Sequence, residues 1–142
     1  MRYFKNSEFP EDPDKYAADS LLFNLDRLRA YMGVPVYPSP AKGALARFDE
    51  KSKDSQHYAV GRLSTACDIF IDCNPFEAYI KILKSRLFKR IGIYFDTHYK
   101  SKPWVMFHVD LKDQDLMWIR NNGKYIYSYT KDFYSELLYL LK

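Results

Sequence analysis

A chain of 142 residues is long enough to bury one substantial core and short for two. Nearly half of it is hydrophobic and 18% is aromatic, mostly Tyr and Phe, which predicts a globular fold and excludes a disordered chain. The net charge of +4 is too small and scattered to argue nucleic-acid binding, and no apolar run or signal-peptide pattern is present, so a soluble protein without a secretion signal is expected.

Residues 1–9 form a short mixed segment with Tyr3, Phe4 and Phe9 as anchors. Asp12 is placed to cap a helix with Pro13 at its first position, and apolar residues then recur with helical spacing at Ala18, Leu21, Leu22, Leu25, Leu28 and Met32. Gly33 supplies the stop, so one helix is predicted from Pro13 to Met32. Val34–Tyr37 reads as a short strand, followed by a polar surface loop from Ala41 to Gln56 long enough to suggest a functional role. Alternation in the strand that follows puts Asp68, Phe70 and Asp72 on one face and Ile69 and Ile71 on the other. Cys67 and Cys73 start and end that stretch, are badly placed to bridge each other, and read as free thiols.

Asn74-Pro75-Phe76-Glu77 opens a second helix, predicted to run to about Leu87 and to bury Phe76, Tyr79, Ile80 and Leu83. Arg90–Phe95 is a strand with Ile91, Ile93 and Phe95 on one side and Gly92 and Tyr94 on the other. Asp96–Pro103, holding His98, is a loop. Trp104–Leu111 is a strand whose odd positions Val105, Phe107, Val109 and Leu111 are wholly apolar, while Trp104, Met106, His108 and Asp110 share the opposite face. Asn121-Asn122-Gly123 marks a hairpin between Met117–Arg120 and Lys124–Tyr129. Asp132 caps a last helix that turns Phe133, Leu137, Leu138 and Leu141 inward. Helices around a mostly antiparallel sheet define an α+β domain.

Two of the three histidines, His57 and His108, sit among β-forming residues, with Asp68 and Asp110 close by in the sequence. Two neutral imidazoles and one carboxylate are what a catalytic zinc site uses when its fourth position stays open for water. His57, Asp68 and His108 can converge if the strands holding residues 68 and 108 are neighbours with their polar faces on one side. The plain alternative is an ordinary half-exposed strand.

Several segments, in order, resemble the zinc D-alanyl-D-alanine carboxypeptidase and endolysin L-alanyl-D-glutamate peptidase family, which shares its fold with the hedgehog signalling domain. They are Phe4-Lys5-Asn6-Ser7-Glu8-Phe9, Leu25–Leu28-Arg29 with Gly33-Val34-Pro35-Val36, and Ser55-Gln56-His57 with Gly61 and Ala66-Cys67-Asp68-Ile69. Arg90-Ile91-Gly92-Ile93-Tyr94, Phe107-His108-Val109-Asp110-Leu111 and Trp118 complete the set. The resemblance implies that residues 1–142 form a single metallopeptidase-like domain with a hedgehog-like fold, with His57, Asp68 and His108 as ligands of Zn2+. It implies a metal-assisted hydrolase of peptidoglycan stem peptides, a bacteriophage or prophage product made in the host bacterial cytoplasm and acting at the cell wall or in the virion.

The chain departs from the family pattern in three places. His57 and Asp68 are eleven apart where the family spaces them seven, so an extra turn must loop out around Val60–Thr65. The family's substrate-facing Arg is replaced in Ser39-Pro40-Ala41-Lys42, leaving Lys42 or Arg47 as stand-ins. The family's general base, three residues before the last His, is Val105, which alternation points into the core. Asp110, Asp96 and His98 are the remaining candidates for that role, each also able to orient a ligand instead. These departures keep open an inactive peptidase fold serving as a structural or binding component, for instance of a virion.

Overall fold

Alternating residues sort this chain onto the two faces of one sheet, and helical stripes supply the layer that covers one of them. The computed structural model describes residues 4–142, so the predicted anchor Tyr3 lies outside the described residues. Its helices are α1 (Pro13–Tyr16), α2 (Asp19–Met32), α3 (Pro75–Ser85) and α4 (Phe133–Leu141). Its strands are β1 (Val36–Pro38), β2 (Ala66–Ile71), β3 (Arg90–Tyr94), β4 (His98–Tyr99), β5 (Lys102–Pro103), β6 (Met106–Asp110), β7 (Leu116–Asn121) and β8 (Lys124–Tyr127). Six strands form one sheet in the order β1-β2-β6-β3-β7-β8, and β4 and β5 form a separate small hairpin. Neighbours in the large sheet run antiparallel except β3 and β7, which are parallel. The molecule is therefore an α+β fold with a mixed, mostly antiparallel sheet. Among the described residues no helix is long and apolar enough to cross a membrane.

One sheet face carries Cys67, Ile69, Ile71, Ile91, Ile93, Phe107, Val109 and Ile119, all buried in a single core with residues of α2, α3 and α4. The stripe Leu21, Leu22, Leu25, Leu28 and Met32 of α2 is buried as its spacing requires, and Gly33 ends the helix at φ 67°. Phe4 and Phe9 are buried, and Glu8 grips Arg29 through two hydrogen bonds of 2.9 and 3.1 Å. Cys67 and Cys73 are free thiols.

The structure corrects several expected details. The first helix is broken at Ala17, because Ala17 bridges Ser64 and the Ala18 amide donates to the Ser64 carbonyl at 2.9 Å, a tertiary pairing that overrides good helix formers. Helix α3 ends at Ser85 and is rotated from the expected face: Ala78, Tyr79 and Ile82 are buried while Phe76 and Leu83 are exposed. In α4, Phe133, Leu137 and Leu141 face inward but Leu138 is exposed, one residue too far around the helix. Residues 96–103 contain the β4–β5 hairpin, turned by Lys100 and Ser101 at φ 51° and 67° without a glycine. Residues 41–56 are not wholly surface, since Ala44, Leu45 and Ala46 are buried.

That loop is fastened from two directions. The Asp68 amide donates to the Ala44 carbonyl at 2.9 Å, where β2 has run past the end of β1. The Glu11 carboxylate accepts from the amides of Gly43, Leu45 and Ala46 at 3.0, 3.1 and 2.9 Å. Three amides that would otherwise lack partners are thereby satisfied. The loop then lies on the second, polar face of the sheet.

Candidate metal centre

The polar face is built in rows, because side chains in register on adjacent strands point the same way. One row crosses five strands: Asp68, His108, Gly92, Trp118 and Tyr127 are successive cross-strand partners. The strands of residues 68 and 108 are thus direct neighbours, and the two side chains meet on one face. Gly92 is required within this row. A Cβ there would lie 2.6 Å from the Trp118 indole, so only glycine lets that ring lie over β3 beside His108.

His57 reaches the same point from the loop. Its carbonyl accepts from the Arg47 amide at 2.8 Å, and the Arg47 carbonyl accepts from the Ala59 amide at 2.9 Å. Residues Val60–Leu63 then bulge into solvent, with Gly61 at φ 70°, before Ser64 returns to the interior. This bulge takes up the chain between His57 and Asp68. Arg62 ties it down by donating to the carbonyls of Lys53 and Ser55 at 2.9 and 2.7 Å.

Three donor atoms converge at the row's end. His57 Nε2 lies 3.2 Å from Asp68 Oδ1 and 3.1 Å from His108 Nδ1, and His108 Nδ1 lies 3.1 Å from Asp68 Oδ1. Donors around a tetrahedral zinc with bonds of about 2.0 Å stand roughly 3.3 Å apart, so the triangle has the edge length such an ion needs. All three residues are buried, with 1% exposure for His57 and 6% for Asp68 and His108. This buried group could bind a metal ion.

The outer nitrogens decide which tautomers are present. His57 Nδ1 faces the Leu45 carbonyl at 3.3 Å, and His108 Nε2 faces Asp110 Oδ2 at 2.7 Å. Both partners accept only, so each neutral ring carries its proton on the outer nitrogen. The inner nitrogens are then bare lone pairs aimed, together with a carboxylate oxygen, at one another. Three converging lone pairs repel unless a cation lies among them. A proton on an inner nitrogen answers this in part; a metal ion answers it fully.

The charges agree. Burial pushes the Asp68 carboxyl up, but the imidazoles of His57 and His108 outweigh it and hold it far below the ordinary carboxylate range. Burial likewise opposes protonation of His108, yet Asp110 and Asp68 together raise it above the usual histidine value. The wholly buried Asp110 is kept ionised against burial by His108, the Lys112 amide at 2.9 Å and the Arg90 guanidinium at 3.0 Å. The cluster is built to attract positive charge.

The other sequence candidates fall in different places. Asp110 lies on the outer nitrogen of His108 with both oxygens engaged, which is an orienting position. Asp96 is engaged by Arg120 at 3.0 Å and by the Gly123 amide at 2.9 Å, at the β7–β8 end. His98 is exposed on β4, and Lys42 is exposed on the loop. Arg47 borders the cluster, with a guanidinium nitrogen 3.6 Å from Asp68 Oδ2. A cleft of about 440 Å³ opens beside the triad, lined among others by Arg47, His57, Arg90, Tyr94, His108 and Trp118. Arg90, Tyr94 and Trp118 were not among the sequence candidates. Alternation placed Tyr94 with Gly92 on one side of its strand, and Tyr94 and Trp118 fall in the segments that carry the family resemblance, but neither signal assigned them a role at the site.

No family model, curated protein or solved structure matches the chain.

Proposed function

We propose that this chain is a zinc-dependent hydrolase of peptidoglycan stem peptides, of the D-alanyl-D-alanine carboxypeptidase and endolysin type, with a hedgehog-like fold. The observation that carries the reading is the convergence of His57 Nε2, Asp68 Oδ1 and His108 Nδ1 with their outer partners fixing the tautomers. Buried imidazoles and a carboxylate with one side open to a cleft suit zinc better than the oxygen-only sets of calcium or magnesium. The order of segments along the chain supports the family reading.

His57, Asp68 and His108 would hold the ion, which when bound would polarise a scissile carbonyl and lower the pKa of water. Asp110 and the Leu45 carbonyl keep the ligand rings in the binding tautomer. Arg47 and Arg90 give the cleft a positive wall suited to a peptide carboxylate. A stem peptide released from the wall presents such a group.

One observation favours a second reading, an inactive fold serving as a structural or binding component, such as part of a phage particle. Apart from the triad, no carboxylate or imidazole lines the cleft among the described residues, so a proton acceptor is not supplied there. Metal analysis followed by incubation with peptidoglycan fragments separates the readings. About one zinc per chain, lost in His108→Ala, with release of shortened stem peptides establishes the hydrolase. Zinc bound with intact fragments selects the structural role, and a chain that takes up no metal refutes the metal centre.

A further inference from the structure

The cleft beside the triad holds a hydroxyl whose hydrogen-bonding capacity is half used. Tyr94 stands on β3 two residues from Gly92, the register partner of His108, so Tyr94 and His108 are diagonal neighbours on one face. Such positions lie about 7–8 Å apart at the backbone, within reach of an aromatic side chain. The Trp118 ring lies between them, its centre 5.1 Å from that of His108, and its Nε1–H donates to the Tyr94 hydroxyl at 3.0 Å. That bond occupies a lone pair of the phenol oxygen and leaves its proton uncommitted. Among the described residues no acceptor for it stands within hydrogen-bond range. The Arg120 guanidinium, 4.6 Å from the centre of the Tyr94 ring, holds the ring in place.

Ser55, Gln56, Tyr125 and Tyr127 also line the cleft, but Tyr94 is the hydroxyl whose oxygen is fixed by the indole beside His108, and the two guanidinium groups are partly engaged. Arg47 donates to the Gly43 carbonyl and faces Asp68, while Arg90 binds Asp110 and Gln114. We infer that the Tyr94 hydroxyl is the hydrogen-bond donor for the substrate oxygen that gains negative charge at the triad, an inference that rests on the hydrolase reading. A donor fixed in advance by Trp118 and Arg120 needs no reorganisation when that charge appears, which is where such donors act most strongly. Burial raises the phenol well above its ordinary value, so the proton is present throughout the working pH range. Tyr94 would be a catalytic residue that supplies a hydrogen bond rather than accepting a proton.

The test compares zinc-loaded wild type with Tyr94→Phe, using the phosphinate isostere of D-alanyl-D-alanine, whose charged tetrahedral oxygens mimic that oxygen. Calorimetry should show a roughly tenfold to hundredfold weaker phosphinate affinity for the variant, the range expected for one hydrogen bond to a charged group. Zinc content and melting temperature should match wild type. Tyr79→Phe, on helix α3 and outside the cleft lining, should bind the phosphinate like wild type. Equal affinity in wild type and Tyr94→Phe, or loss of zinc from Tyr94→Phe, overturns the role of Tyr94 alone. Zinc-loaded wild type that does not bind the phosphinate overturns this role together with the hydrolase reading.

Discussion

Asp110 Oδ2 lies 2.7 Å from His108 Nε2, on the ring edge away from the one that meets Asp68. Two carboxylates therefore bracket a single imidazole, one fixing its tautomer and the other sharing its lone-pair side. Asp110→Asn keeps the shape but loses the charge that holds Arg90 and strengthens the ligand. Zinc affinity, measured by competition with a chelator, should fall about tenfold to a hundredfold. An unchanged affinity would mean that Asp110 serves only the fold.

Asp68→Asn should separate metal binding from folding. The amide cannot replace the carboxylate as a ligand, so zinc uptake should disappear. Its NH2 can, however, donate to the inner nitrogens of His57 and His108, relieving the lone-pair conflict. At pH 8 the metal-free variant should be more stable than metal-free wild type by about 1 kcal/mol in urea denaturation. A less stable variant would show that the inner nitrogens are not bare.

The metal-free protein should have an unusual pH profile. His108 titrates above its ordinary value of 6.5 in the folded chain, so its contribution is complete below that value and is lost as the pH rises through the higher folded one. Asp68 and Asp110 titrate below their ordinary 3.8, so their contribution is present above it and lost as the pH falls through the lower folded values. The melting temperature without metal should be highest in weak acid and decline toward pH 8. With zinc the trend above pH 6 should reverse, because the ion competes with protons for the same atoms. Parallel profiles with and without zinc would refute the shared site.

Gly92→Ala should disturb the whole row. The added methyl meets the Trp118 indole at 2.6 Å, and the ring must move off β3. A cost of about 1–3 kcal/mol is expected for such overpacking, read by chemical denaturation. Trp118 should also leave Tyr94, shifting the indole fluorescence. A variant as stable as wild type would mean the row has room that its packing does not suggest.

Much of this arrangement was legible because the relevant signals are local. Alternation in residues 104–111 and 67–72 separates apolar from polar faces without reference to the rest of the chain, and the structure pairs those strands in register. The capping pattern Asn74-Pro75 and the Asn122-Gly123 turn likewise act within a few residues. What was not legible depends on partners far away. Helix α3 has two plausible apolar stripes, and only the packing of α2 decides that Ala78 and Ile82 face inward rather than Phe76 and Leu83. The break at Ala17 follows from Ser64, 47 positions later. Tyr94 acquires its significance from Trp118, on a strand that no local pattern joins to it.

The contact of Glu11 with residues 43–46 has a consequence for how the molecule is handled and how it can change. The loop it anchors carries the Leu45 carbonyl on which the outer nitrogen of His57 rests, so one acidic side chain near the amino terminus clamps a ligand it never touches. Trimming the chain past residue 11, or grafting a fusion partner that pulls this segment aside, would leave the strands intact and loosen one corner of the triangle. Glu11 is thus a latch on the triad as well as a tie within the fold.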